Sequence, residues 1–185
     1  MIAIGDLGPA DRHRVVASRF GEVAAAVPDW SSQSPVAEWR AADVVDHLLT
    51  WFPEFLGAGG VKLAPVSTDD RAAAWRERSD EVQGLLDGPG AATEFTHPMV
   101  GTLPLAAAVD QFYSTDVFMH TWDLARAAGV EHGLDPEFAG QVRAGMEPME
   151  EMLRGSGQYG PAVPVPVDAD PVARLMGFIG RDPNP

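Results

Sequence analysis

The sequence contains no cysteine. Disulfides, thiolate zinc sites and a cysteine nucleophile are therefore excluded, and any metal must be held by histidine or carboxylate side chains. Lysine is nearly as scarce: Lys62 stands alone beside twelve arginines. Thirteen basic residues face 27 acidic ones, a net charge of −14, and such a field repels phosphate backbones and anionic bilayer surfaces. Nucleic acid and membranes are poor partners for it. No apolar run reaches the length of about 18 residues that a spanning helix needs. Met1 to Gly8 lack the basic stretch and long apolar segment of a signal peptide, so a cytoplasmic protein is expected. The H-E-x-x-H zinc-protease pattern, the phosphate-binding glycine loops and the nucleophile elbow are missing as well.

What is present suffices for one ordinary domain: 185 residues, 45% of them hydrophobic. Apolar residues at helical spacing predict a first helix over Asp11 to Val27, with Val16, Phe20 and Val23 inward. A second runs from about Ala41 to Trp51, with Val44, His47, Leu48, Trp51 and Phe55 on one stripe and Pro53 expected to kink or end it. Ser67 or Thr68 is a candidate cap for a third helix, whose inner face would carry Ala72, Trp75, Ser79, Val82 and Leu86. The stretch Glu94 to Leu103 reads as a short hairpin or an extended arm. A fourth helix should run from Pro104 to Gly129, aligning Val109, Phe112, Asp116, His120, Leu124 and Ala127. Asp135-Pro136 opens a fifth, with Phe138, Val142, Met146, Met149 and Leu153 inward. These elements divide the chain into a helical body, residues 1–154, and a Pro/Gly-rich tail, 155–185, with a short helix starting after Asp170.

Polar residues break two of these apolar stripes. Asp116 and His120 are four apart, which puts both on one helix face about 5 to 6 Å apart at Cβ. His47 adds a third donor from another helix, and two imidazoles with one carboxylate suit a divalent ion with coordination positions left open. The alternatives are ordinary: His47 as a hydrogen-bonded core histidine, and Asp116 with His120 as a buried ion pair. Asp123, three residues past His120, could orient a bound water, accept the histidine's second proton or replace Asp116 as ligand; it is the catalytic candidate. Arg126 reads as an exposed helix arginine, and Trp51 and Trp122 as core or pocket wall. His13, His97 and His132 are given no role.

The runs Trp39-Arg-Ala-Ala-Asp-Val-Val-Asp-His47-Leu-Leu and Asp116-Val-Phe-Met-His120-Thr-Trp-Asp-Leu-Ala-Arg-Ala-Ala-Gly129 resemble the metal-binding helices of the DinB-like superfamily. More narrowly they are similar to the N-terminal domain of actinobacterial mycothiol-dependent maleylpyruvate isomerases. The tail, Pro164-Val-Pro-Val-Asp-Ala-Asp-Pro-Val-Ala-Arg-Leu-Met-Gly-Phe-Ile-Gly-Arg-Asp-Pro, resembles the ending of that group's short members. The resemblance implies an all-α, DinB-like four-helix bundle carrying an extra helix, a short β-arm and a tail, with His47, Asp116 and His120 as ligands. It further implies zinc, or nickel, iron or manganese, and mycothiol or another small thiol as cosubstrate for a transferase or isomerase acting on a small electrophile. A homodimer is compatible with it. The isomerases have glutamate where this chain has the shorter Asp116, and a further C-terminal domain absent from this sequence. A non-catalytic metal- or ligand-binding module and a non-haem iron oxygenase are the rival readings.

Overall fold

The computed structural model describes residues 3–155, 157 and 159–184, and the chain is mostly helical with one two-stranded sheet. It divides into two compact units: residues 7–132, and residues 3–6 with 133–184. In the first, α1 (Pro9–Ala25) packs against α3 (Arg71–Asp87) and α5 (Thr115–Ala128), while α2 (Ala41–Ala58) packs against α5 and α3. None of the described helices is long and apolar enough to cross a membrane.

Aromatic side chains dominate the core of this unit. Phe20 of α1 lies 4.2 Å from the Trp75 ring, centroid to centroid, and Trp75 Nε1 donates to the Ala17 carbonyl at 3.1 Å, so its one polar atom is satisfied where it is buried. Phe52 of α2 stacks on Tyr113 at 3.9 Å and 9° between planes. The hairpin, β1 (Glu94–His97) with β2 (Gly101–Pro104), is antiparallel with Phe95 opposite Leu103. Phe95 packs over Gly59 so closely that a Cβ there would come within 2.1 Å of the ring. The glycine is therefore what lets the arm dock at the end of α2.

Several expectations need correction. Pro53 neither ends nor breaks α2, which continues to Ala58. Burial explains this: Phe52 and Leu56 flank the proline and are both fully enclosed, and their packing outweighs the lost backbone hydrogen bond. The cap of α3 is Asp70, whose carboxylate accepts from Ala73 N at 3.0 Å, rather than Ser67 or Thr68. On its inner face Ala74 and Arg78 are buried where Ala72 and Ser79 were expected. Arg78 is tolerated because it donates to the Ala64 carbonyl and pairs with Glu81.

The fourth predicted helix exists, and Gly129 ends it with φ 70, ψ 30, a left-handed cap that glycine adopts freely. It is not one regular helix. Between α4 (Leu105–Ala108) and α5, residues Val109–Ser114 form a π-helical stretch. Such a turn holds an extra residue, so Tyr113 rather than Phe112 takes the fully buried place, and Phe112 lies half-buried beside Phe55.

His13, read as belonging to a polar helix start, is buried. Its Nδ1 donates to Gln83 Oε1 at 2.8 Å, and its Nε2 has no hydrogen-bond partner among the described residues. Burial lowers its pKa, only partly offset by the Gln83 bond. A histidine held neutral by folding contributes stability that is complete above its unfolded pKa near 6.5 and is lost as pH falls through the lower folded value. Stability to urea should thus decline below about pH 6.5, by at most ~1.4 kcal/mol per pH unit from this group, and His13→Gln should flatten that decline. An unchanged slope in the variant would refute the assignment.

In the second unit, α6 (Pro136–Met146) packs against α8 (Pro171–Phe178). Asp135 and Asp170 cap them, the latter accepting from Val172 N at 2.8 Å. Phe138, Val142 and Met146 are inward as expected, but Pro148 starts a 3-10 turn over Glu147–Met149 and turns Met149 outward, 40% exposed. The chain resumes as α7 (Glu150–Gly155), where Arg154 donates to the Gly160 and Phe178 carbonyls.

Candidate metal centre

α2 and α5 pack side by side, and that packing brings together the polar residues that interrupt their apolar faces. One donor atom each from His47, Asp116 and His120 lies within 4.8 Å of the others. His47 Nε2 is 3.3 Å from one Asp116 carboxylate oxygen and His120 Nε2 is 3.5 Å from the other. Across a tetrahedral ion with bonds of about 2.0 to 2.1 Å, neighbouring donors stand roughly 3.3 Å apart; the His47–Asp116 edge has that dimension, while His120 faces the other carboxylate oxygen and the three donors together span at most 4.8 Å.

The surrounding contacts set the direction of each donor. Asp123, fully enclosed, lies 2.9 Å from His120 Nδ1. A carboxylate there accepts from Nδ1–H, and the tautomer it favours presents Nε2 as the lone-pair nitrogen towards Asp116. Two lone-pair groups facing each other at 3.5 Å repel unless a proton or a metal ion lies between them. Trp51 Nε1 donates to Asp116 at 3.0 Å and fixes that carboxylate. Burial disfavours charge on Asp116, yet the neighbouring His120 and His47 together with the Trp51 bond hold its carboxyl below the usual range. Asp116 is thus set to remain ionised, as a ligand must be.

Trp39 closes the other side, its ring 4.9 Å from His47 and 5.7 Å from His120, the latter nearly parallel at 22°. The chain is similar to two proteins of Mycobacterium tuberculosis, one in strain CDC 1551 / Oshkosh and one in strain ATCC 25618 / H37Rv, each described only as an uncharacterized protein. Both are 28% identical over 152 residues, 80% of this chain and 82% of the relative. No family model matches, and no solved structure matches.

Trp39 and Trp51 are the residues that sequence reasoning undervalued. Trp39 precedes α2, where no helical stripe could place it, and Trp51 was read as wall although its indole nitrogen bonds a candidate ligand. The spacing from His47 to Trp51, four residues and hence one helix face, was the available signal. Asp123 stands behind His120, on the ring edge opposite Asp116, so by contact it is a positioning residue. Arg126 lies over the Trp122 ring at 5.5 Å. His97 is buried at the hairpin, stacked on Phe55 at 4.3 Å.

Proposed function

We propose that residues 7–132 form a four-helix bundle of DinB-like type that holds one divalent ion, zinc foremost, between His47, Asp116 and His120, and that the protein is a cytoplasmic thiol-dependent transferase or isomerase of a small electrophile. The observation that carries the reading is the convergence of two imidazole nitrogens on the Asp116 carboxylate, with Asp123 behind one of them. The histidines are unlike in exposure: His120 is enclosed, whereas the His47 side chain is 31% exposed and borders an open cleft. The enclosed one anchors; the exposed one marks where a ligand approaches.

The ion would supply Lewis acidity, lowering the pKa of a thiol or water that it binds. The protein's own residues then do the positioning. Asp123 keeps the His120 ring in one tautomer and orientation, Trp51 restrains the Asp116 carboxylate, and three protein donors leave room for cosubstrate and substrate. Mycothiol as the thiol is part of the same proposal, supported by the resemblance of the helices that bear the ligands.

Turnover of fully metal-loaded protein with mycothiol, glutathione and 2-mercaptoethanol, each paired with a panel of small electrophiles including maleylpyruvate, tests the reading. A thiol-dependent rate that chelation removes is expected. No thiol-dependent rate above background, metal content being complete, would favour a metal-binding module over an enzyme.

A further inference from the structure

Beside the candidate centre lies an open cleft of ≈ 570 Å³, lined by Trp39, His47 and Trp51 and by the carboxylates of Glu38, Asp43, Asp46 and Glu54. No lysine or arginine lines it. Two of the carboxylates are engaged within the fold: Asp46 by Arg71 at 2.8 Å, and Asp43 by the Arg40 backbone N–H at 2.7 Å. Glu38 and Glu54 are exposed and form no ion pair among the described residues. The two tryptophans flank His47, with ring centroids at 4.9 and 6.0 Å from the imidazole. Half-buried indole rings beside unneutralised carboxylates are the chemistry that recognises an organic cation, through the ring quadrupole and the negative potential together. A dianionic acid entering the same cleft would meet Glu38 and Glu54 with no lysine or arginine in the lining to offset them.

We infer that this cleft seats the cationic end of a substrate, an ammonium or guanidinium group, against Trp39 and Trp51, with its reactive end at His47. The assignment of the reactive end rests on the metal reading above; the seating of the cation does not. The substrate class is therefore a small molecule that carries a positive charge a few bonds away from its electrophilic or metal-seeking group. Glu38 and Glu54 supply the long-range attraction, and the tryptophan faces supply the contact.

The test uses the full chain as purified, with its metal content measured on the same sample. Binding of benzyltrimethylammonium and of phenylacetate, probes sharing a ring and differing in charge, is followed by calorimetry at low and at moderate salt. The cation is expected to bind about tenfold tighter, with the preference shrinking as salt rises. It should shrink again in the Glu38→Gln/Glu54→Gln double variant and in Trp39→Leu. Equal binding of the two probes, or a preference that survives both variants unchanged, overturns the proposal. A sample without metal that still prefers the cation would count against the metal reading alone, and a metal-loaded sample without the preference against the cleft alone.

Discussion

Replacing His120 or His47 by alanine is expected to strip the protein of metal, from about one equivalent of zinc or a similar first-row ion in the unaltered chain to a small fraction of that. Elemental analysis of protein purified without a histidine tag provides the measurement. The expectation follows from donor number: with either imidazole gone, one histidine and a carboxylate remain, too few to compete with buffer and water for a borderline-soft ion. The two variants need not be equal. His120 is enclosed and held by Asp123, so its loss removes an oriented donor, whereas the exposed His47 side chain loses conformational freedom on binding. Asp123→Asn keeps the volume and removes the charge that orients the ring, and should weaken metal affinity by roughly 10- to 100-fold without abolishing binding. Asp116→Asn separates the carboxylate as ligand from the carboxylate as a plain acceptor for Trp51, because an amide oxygen can still accept that bond but is a poor metal donor. Full metal retention in both His47→Ala and His120→Ala would sink the centre as drawn.

The largest effect on stability should come from Phe52→Ala. Phe52 is fully enclosed, stacks on Tyr113 at 3.9 Å and meets Trp51 and Phe55 edge-on and in parallel. Truncation removes the ring's transfer energy and leaves a cavity that neighbouring aromatics, themselves wedged against the π-helical stretch, are poorly placed to fill. A loss of about 3 to 5 kcal/mol is expected. Urea unfolding followed by tryptophan emission reads it well, since all five tryptophans lie within residues 7–132. Met99→Ala at the hairpin tip is the control: with 86% of the residue exposed, it should change stability by no more than about 0.5 kcal/mol. Because Phe52 sits five residues beyond His47 on α2, the variant should also loosen metal binding, though less than loss of a ligand does. A destabilisation under about 1 kcal/mol would mean that the aromatic stack is not the core of this unit.

The legibility of the helices in the sequence has a plain cause. Their boundaries were written in local chemistry that neighbouring residues cannot overrule: Asp135-Pro136 and Asp170-Pro171 as starts, Gly129 as a left-handed stop. Periodicity likewise placed Val16, Phe20 and Val23 inward, along with Trp75, Val82 and Leu86, because burial at helical spacing is a property of the segment alone. Where the reading failed, a distant partner had decided. Pro53 stays helical because Phe52 and Leu56 are locked into the core across from Tyr113 and its neighbours; Met149 is the exception, turned outward by the adjacent Pro148. Arg78 is buried because a carbonyl fourteen residues away receives it.

The centre divides in the same way. Sequence alone determined that Asp116 and His120 share a face, that His47 lies on a different helix, and that no cysteine of the chain could be a ligand, since helix pitch and composition are local facts. Tertiary structure decided the rest. The packing of α2 on α5 set the 3.3 Å separation of His47 from Asp116 and brought Trp51, read as wall, and Trp39 into contact with the donors. The π-helical stretch shows why no count of residues could have delivered that inter-helix distance. One extra residue in a turn rotates everything after it, and in this turn Tyr113 is the residue that stacks on Phe52 across the core, a contact made with a different helix.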